Sequence, residues 1–517
     1  MKYYLSSIFF VLLCMGTYMQ GYAQRDNPLR VELNANLDME SYNLVPCGEN
    51  GLLVFFESDK KGSELDTRLW HFAFYDKNLM QKWLADTALI EGAKFKGFSS
   101  DGKNTYLLFH DADKQRSDHN LQILTVNYRL NTFSLINGLA PEKSEAIHFN
   151  IHDGKAVIAF NNTRFEPLFI LIDLSAGSSK EIKPELEGLN IIQEISFDQD
   201  EKQMLIILEN YLGKKQNAIL ALRFGPDGNI ERTYRINPAI EGKVINEARI
   251  ASTAGDTLLI MGTYSNNASR IGGDEDETGL ESAGYFITKF IGEKQEFINY
   301  YNFLEFEEMY RSLSSKTIAD LRKKAEKQKK QGGEYSLDYT LILHDVIPFM
   351  GNYVLLSEAY YPEYRTETSM YYDYYGRAIP QTYTVFDGYK YISGIAAAFS
   401  PDGQLIWDDG IEIRNIMTFQ LVKYMESYSS QTELAFFYSS ENHLYYKMAG
   451  SPESDNPLQN ISIESKYKGD KLMEDLGSKM IHWYQNYFIC FGYQKIKNNR
   501  ISGGKRTIFY FNKLAFN

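Results

Sequence analysis

The chain has 517 residues, 44% of them apolar, with 38 Tyr and 32 Phe against 13 Pro. Such a composition excludes chain-wide disorder, and its aromatic bias favours strands over helices. A net charge of −13 excludes nucleic-acid binding, which needs a basic face to neutralise phosphates.

The first segment reads "MKYYLSSIFFVLLCMGTYMQGYAQ". One lysine precedes an apolar run, and Gly21-Tyr22-Ala23 places small residues where signal peptidase reads them, so residues 1–23 are expected to be a cleaved secretory signal. The apolar run falls short of the ~20 residues of a membrane-spanning helix. Leu13 before Cys14 argues against a lipoprotein signal. The lysine followed by aromatics, with Gln24 directly after Ala23, resembles exported proteins of Bacteroidota. That resemblance implies a cell-envelope protein, periplasmic or associated with the outer membrane. No later run is long and apolar enough to span a membrane, so residues 24–517 are expected to form one exported domain.

From Leu29 onward the chain repeats. "FGPDGNIER" from Phe224 and "FSPDGQLIW" from Phe399 are turns of the same kind, each between two strands, with Pro fixing φ and Gly accepting positive φ. Weaker copies such as "LWHFAFYDKNLMQKWL" and "LFILIDLSAGSSKEI" share the pattern. Ahead of each such pair lies another hairpin with its own polar turn, for example "SSDGKN" at Ser99 or "MGN" at Met350. The second strands of these hairpins, including "LLVFF", "MLIIL" and "YFICF", are continuously apolar, as inner strands packed on both faces should be. The spacing of about 46 to 56 residues, apart from two longer gaps, with four strands per repeat, predicts an all-β propeller of seven to eight four-stranded blades, eight favoured. The strand "LRVELNA" near Leu29 is expected to complete the last blade and close the ring. No tryptophan–aspartate signature is present, so the resemblance is to β-propellers as a class. Two packed sandwiches are the alternative architecture.

Three insertions interrupt the repeat, at 265–284, 305–339 and 360–391. They fall on b–c and d–a connections, which in an antiparallel blade emerge on one face, opposite the tight Asp-Gly turns. Loops on a rigid scaffold carry function more often than the scaffold does. The first insertion holds Asp274, Glu275, Asp276 and Glu277, a partner for basic groups or a calcium loop without the usual alternating spacing. The second is expected to contain a basic helix, with Ile318, Leu321 and Ala325 at helical spacing and a Gly332-Gly333 stop. Its Arg322, Lys323, Lys324, Lys327, Lys329 and Lys330 suit either a solvated face or an acidic surface, anionic lipid headgroups included. The third is crowded with Tyr360, Tyr361, Tyr364, Tyr371, Tyr372, Tyr374, Tyr375, Tyr383, Tyr389 and Tyr391. Tyrosine suits protein interfaces and sugar stacking, and it also packs hairpins onto their own scaffold.

No nucleophile elbow, zinc-protease motif or paired-cysteine motif is present, and no cofactor or metal is expected. His148 and His152 would lie about 13 Å apart along one strand face, too far to share a metal. His110, in "HDAD", is the best isolated polar candidate. Cys47 and Cys490 could tie the chain ends together in an oxidising compartment, or serve as two buried thiols. Two functions follow: a non-catalytic envelope scaffold that binds a protein partner on the insertion face, or a carbohydrate-binding or hydrolytic propeller with its site in the central funnel.

Overall fold

The computed structural model of the chain describes residues 29–36, 41–111, 120–152, 154–198, 203–213, 216–225, 228–266, 281–306, 315–330, 335–372, 374–449, 457–500 and 504–516. The expected signal segment and the Asp274–Glu277 run lie outside the described residues.

Strands dominate because the apolar runs are short, β-branched or aromatic, and end at Gly, Asn or Asp turns. They form seven four-stranded sheets and an eighth of seven strands, all antiparallel, in strict chain order. Blade one spans Asn43–Ile90, blade two Lys94–Leu139, blade three Ser144–Ile182 and blade four Leu189–Arg235. Blade five runs from Val244 to Asn302, blade six from Tyr339 to Glu412, blade seven from Glu426 to Ser462. The last is built from Lys471–Tyr484, Tyr487–Lys497 and Lys505–Ala515, and its fourth strand is Leu29–Asn34 from the other end of the chain. That closure is the one expected from the sequence, and it removes an open sheet edge.

The core shows why the sheets make a ring. Each second strand buries both faces, with alternate residues serving different neighbours. In blade one, Leu52 and Val54 pack toward blade eight, whereas Leu53 and Phe55 pack toward blade two. Eight such apolar clusters join the sheets in succession, and the last joins blade seven to blade eight. First strands of neighbouring blades pack on one another, so they form the inner wall.

The repeated turns share their details. Gly403 donates to the Ser400 carbonyl at 2.8 Å and Gly228 to that of Gly225 at 2.9 Å, each with φ near +80°. A Cβ at Gly403 would meet Phe297 of blade five at 2.5 Å, and one at Gly228 would meet Ile182 of blade three at 2.5 Å. Each turn is thus pressed against the outer strand of the preceding blade, where only glycine fits. Pro226 and Asp227 lie outside the described residues.

The alternative of a staple between the chain ends is corrected by the structure. Cys47 and Cys490 are both free and buried. Cys47 belongs to the core between blades one and two, Cys490 to that between blades seven and eight. Burial pushes the two thiols up to about 12 and about 11. Among the described residues no helix is long and apolar enough to cross a membrane.

Candidate functional site

Blade six carries the largest departure from the repeat. Its second and third strands, Asn352–Tyr372 and Ala378–Phe399, run far past the sheet as a paired ribbon. The base is braced, since Met417–Thr418 pairs with Lys390 and Tyr389. Tyr360, Tyr389 and Tyr391 are buried there, in the core shared with blade seven. Tyr360 is therefore part of the core and does not belong to a partner face, a correction of the sequence reading.

Beyond the base, nine residue pairs from Tyr364–Phe386 to Tyr372–Ala378 form a free arm roughly 30 Å long. Directly opposed residues share a face. One face holds Tyr364, Thr366, Thr368, Met370 and Tyr372 with Phe386, Thr384, Thr382, Pro380 and Ala378, none of them charged. On the other, Arg365 is held by Glu367 at 2.8 Å and Asp387 at 2.9 Å, and Tyr383 donates to Glu367. Tyr361, Tyr364, Tyr371, Tyr372 and Tyr375 are exposed, and Tyr374 at the tip is 97% exposed. The alternative of tyrosines packed on the scaffold thus holds at the base and fails along the arm.

The expected helix is present as α1, Ser315–Lys330. Lys323, Lys324, Lys327 and Lys330 are exposed and Leu321 is half-buried, while the Arg322 side chain lies outside the described residues. The connections that carry α1 and the first insertion are joined at their roots. Glu281–Ser282, the return of the first insertion, pairs with the first strand of blade six, and Asn302 donates to the Tyr335 carbonyl. Strand direction puts both on the face from which the arm rises.

The inner wall below this face holds a second group of side chains, which no linear motif announced. Blade six's first strand breaks between Leu343 and Ile347, exposing Asp345, whose side chain is 83% accessible although it sits on the innermost strand. Lys423 pairs with it at 3.0 Å. The surrounding wall desolvates the Asp345 carboxyl, open to channel water though it is, but Lys423, then Arg249 and His344, hold it below the ordinary value. Glu194 of blade four is pushed up to about 7 by burial, against the pull of Arg249 and the Ile250 N–H. Glu426 of blade seven is pushed to about 7 by burial, with the Glu358 charge adding to it. Burial likewise raises Glu247, with Arg249 opposing.

His148 of blade three is lowered by burial, while Asp345 of blade six acts on it in the opposite sense. By direct contact, Glu194, Glu247, Arg249, Asp345 and Lys423, from blades four to six and the connection to blade seven, share one stretch of the inner wall. Buried behind them, Glu358 accepts from His344 at 2.6 Å and from the N–H groups of Tyr424 and Met425 at 2.8 Å, fixing blade six to blade seven.

Other sequence candidates fall away. His110 is buried, edge-on to Phe160, and Asp111 is buried with it, so "HDAD" presents no open polar site in its described part. His152 stacks on Phe197. Among the described residues no group of three or more potential ligands could hold a metal.

No protein-family model matches the chain, and no curated protein sequence matches it. Solved structures resemble it in architecture. The β-propeller domain of the trilobed protease from Pyrococcus furiosus is 11% identical, over 81% of this chain and 93% of that one, with a TM-score of 0.33. The dihydro-haem d1 dehydrogenase NirN is 9% identical, covering 100% and 85%, at 0.42. Polysaccharide lyase Uly1 is 9% identical, covering 82% and 90%, at 0.39. Likenesses this distant carry no functional argument, and the ring rests on its own sheet order.

Proposed function

We propose that this propeller is a non-catalytic scaffold of the cell envelope, periplasmic or outer-membrane-associated, which holds a protein partner on the uncharged face of its tyrosine arm. An accessory role in an outer-membrane export or motility assembly fits that reading. The observation that carries it is the arm itself. A two-stranded ribbon is marginal in water without a third layer. This one nevertheless shows ten uncharged side chains on one side and keeps its charges, paired among themselves, on the other. Tyr and Met with few charges is the composition of an interface centre.

The test is site-specific photocrosslinking in envelope preparations from the source cells. A photoreactive residue at Thr368 should trap a discrete partner, and one at Ser369, on the opposite face, should not. Equal yields from the two positions, or none from either, would remove the assignment.

A second reading is supported by the channel, where convergent carboxylates suit a polyhydroxylated ligand such as a carbohydrate. A glycan array would decide it. Hits lost in Glu247→Ala support a funnel site, and an array without hits ends that reading.

A further inference from the structure

Helix α1 is the most basic stretch of an acidic chain. Its sixteen residues include seven Lys or Arg and two acids, Asp320 and Glu326, whereas the whole chain has 54 Lys and Arg against 67 Asp and Glu. The charge is also ordered. Lys323, Lys327 and Lys330 recur at intervals of four and three residues and so fall on one side of the helix, with Lys324 beside them. All four are exposed. Leu321 is half-buried, and the spacing sets it, with Ile318 and Ala325, on the opposite stripe. Of the described side chains, Leu321 is thus turned partly from solvent and the four lysines are turned outward.

We infer that the lysine face of α1 is a docking site for an anionic lipid bilayer, which it holds against the insertion face of the propeller. Charge complementarity selects an acidic occupant, and three observations favour lipid over an acidic protein. The cations described as exposed, Lys323, Lys324, Lys327 and Lys330, are compact charges on flexible stems that suit a fluid array of headgroups. Lysine is also depleted from protein–protein interfaces. Finally, the arm rises from the same face and ends in Met370, Tyr371, Tyr372, Tyr374, Tyr375 and Ile379, all exposed. Apolar bodies with polar tips are the side chains found at the headgroup level of membranes. The inference goes beyond the scaffold reading and stands without it, because the lysines can bind lipid whatever the arm holds.

Vesicle flotation of the purified chain tests this. With phosphatidylcholine vesicles containing about one-third phosphatidylglycerol, the protein should float at low ionic strength and be released as salt shortens the Debye length. It should not float with phosphatidylcholine alone. The variant K323Q/K324Q/K327Q/K330Q should bind at least about tenfold more weakly with an unchanged melting temperature, because its substitutions are exposed. An arm-trimmed variant should keep the salt-sensitive binding, which separates failure of this site from failure of the arm. Absence of flotation at low salt, or equal flotation of the quadruple variant, overturns the inference. Competition by soluble polyglutamate as effective as that by vesicles of matched charge would assign the face to an acidic protein and overturn it equally.

Discussion

Glu194 sits where blade four meets blade five, and its carboxylate accepts the Ile250 N–H at 2.8 Å. Burial raises its folded-state value to about 7 from an ordinary 4.5. The native state therefore holds a proton that the unfolded chain releases earlier. Below the unfolded value both states are protonated and Glu194 costs nothing. As pH rises from 4.5 through 7 that advantage is lost, because the folded protein must bury a charge. Glu194→Gln keeps an acceptor for Ile250 and removes the titration. It should match the wild type near pH 4 and exceed it at pH 8, by on the order of 1–3 kcal/mol. Urea unfolding across that range reads the difference, and parallel pH profiles for the two proteins would refute the burial argument. Nothing in the sequence pointed to Glu194. It stands in an ordinary strand, "NIIQEISF", and its environment is made by Arg249, Asp345 and Lys423, which other blades supply. Residues gathered from scattered blades leave no linear trace. His110 failed in the opposite way, since its motif looked polar in line but ends a strand whose two faces are both covered.

The elements were more legible, because a hairpin announces itself locally. The Pro-Asp-Gly turn at Pro401, the doubly buried second strands and helix α1 over Ser315–Lys330 follow from neighbouring residues alone, and each stands where the pattern puts it. The sequence marks the arm as a tyrosine-rich excursion, but its division into a buried base and a free ribbon depends on bracing by Met417–Thr418, which comes from a later connection. That division sets where the arm can be cut. Replacing residues 366–384 by Asn-Gly joins Arg365 to Val385, a pair already in register, through a two-residue turn. The Tyr364–Phe386 ring contact at 5.6 Å and the buried Tyr360, Tyr389 and Tyr391 are kept. The melting temperature should therefore stay within about 2 °C of the wild type while the photocrosslinked partner is lost. A large drop in melting temperature would show that the ribbon is structural, and the scaffold reading would lose its main support.

At the scale of the whole molecule, ring closure was foreseeable because an unmatched strand stood at one end and three-stranded pairing at the other. What fixes that strand was not foreseeable, since it joins residues more than 460 positions apart. Arg30 donates to Asn512 at 3.1 Å and Gln494 at 2.9 Å, pairs with Glu32 at 2.8 Å, and lies 4.2 Å from the Tyr510 ring centroid. Glu32 in turn pairs with Arg506, which also holds Asp470. The Arg30 and Glu32 side chains are almost wholly buried, so removing Arg30 leaves Glu32 to Arg506 alone and strips Asn512 and Gln494 of their donor. Arg30→Ala should destabilise the fold by about 2–4 kcal/mol. Arg30→Lys should recover only part of this, because one ammonium cannot reproduce the planar fork that serves two amide oxygens and a carboxylate. The loss should also be local at first. Val31 and Leu33 pack into the core between blades eight and one, so freeing their strand uncovers the outer edge of Lys505–Ala515. In Arg30→Ala, amides of Lys505–Ala515 should exchange with solvent faster than in the wild type while those of Leu189–Arg235, across the ring, change little. An unshifted urea midpoint, or faster exchange spread evenly over all blades, would mean that Arg30 does not hold the closing strand.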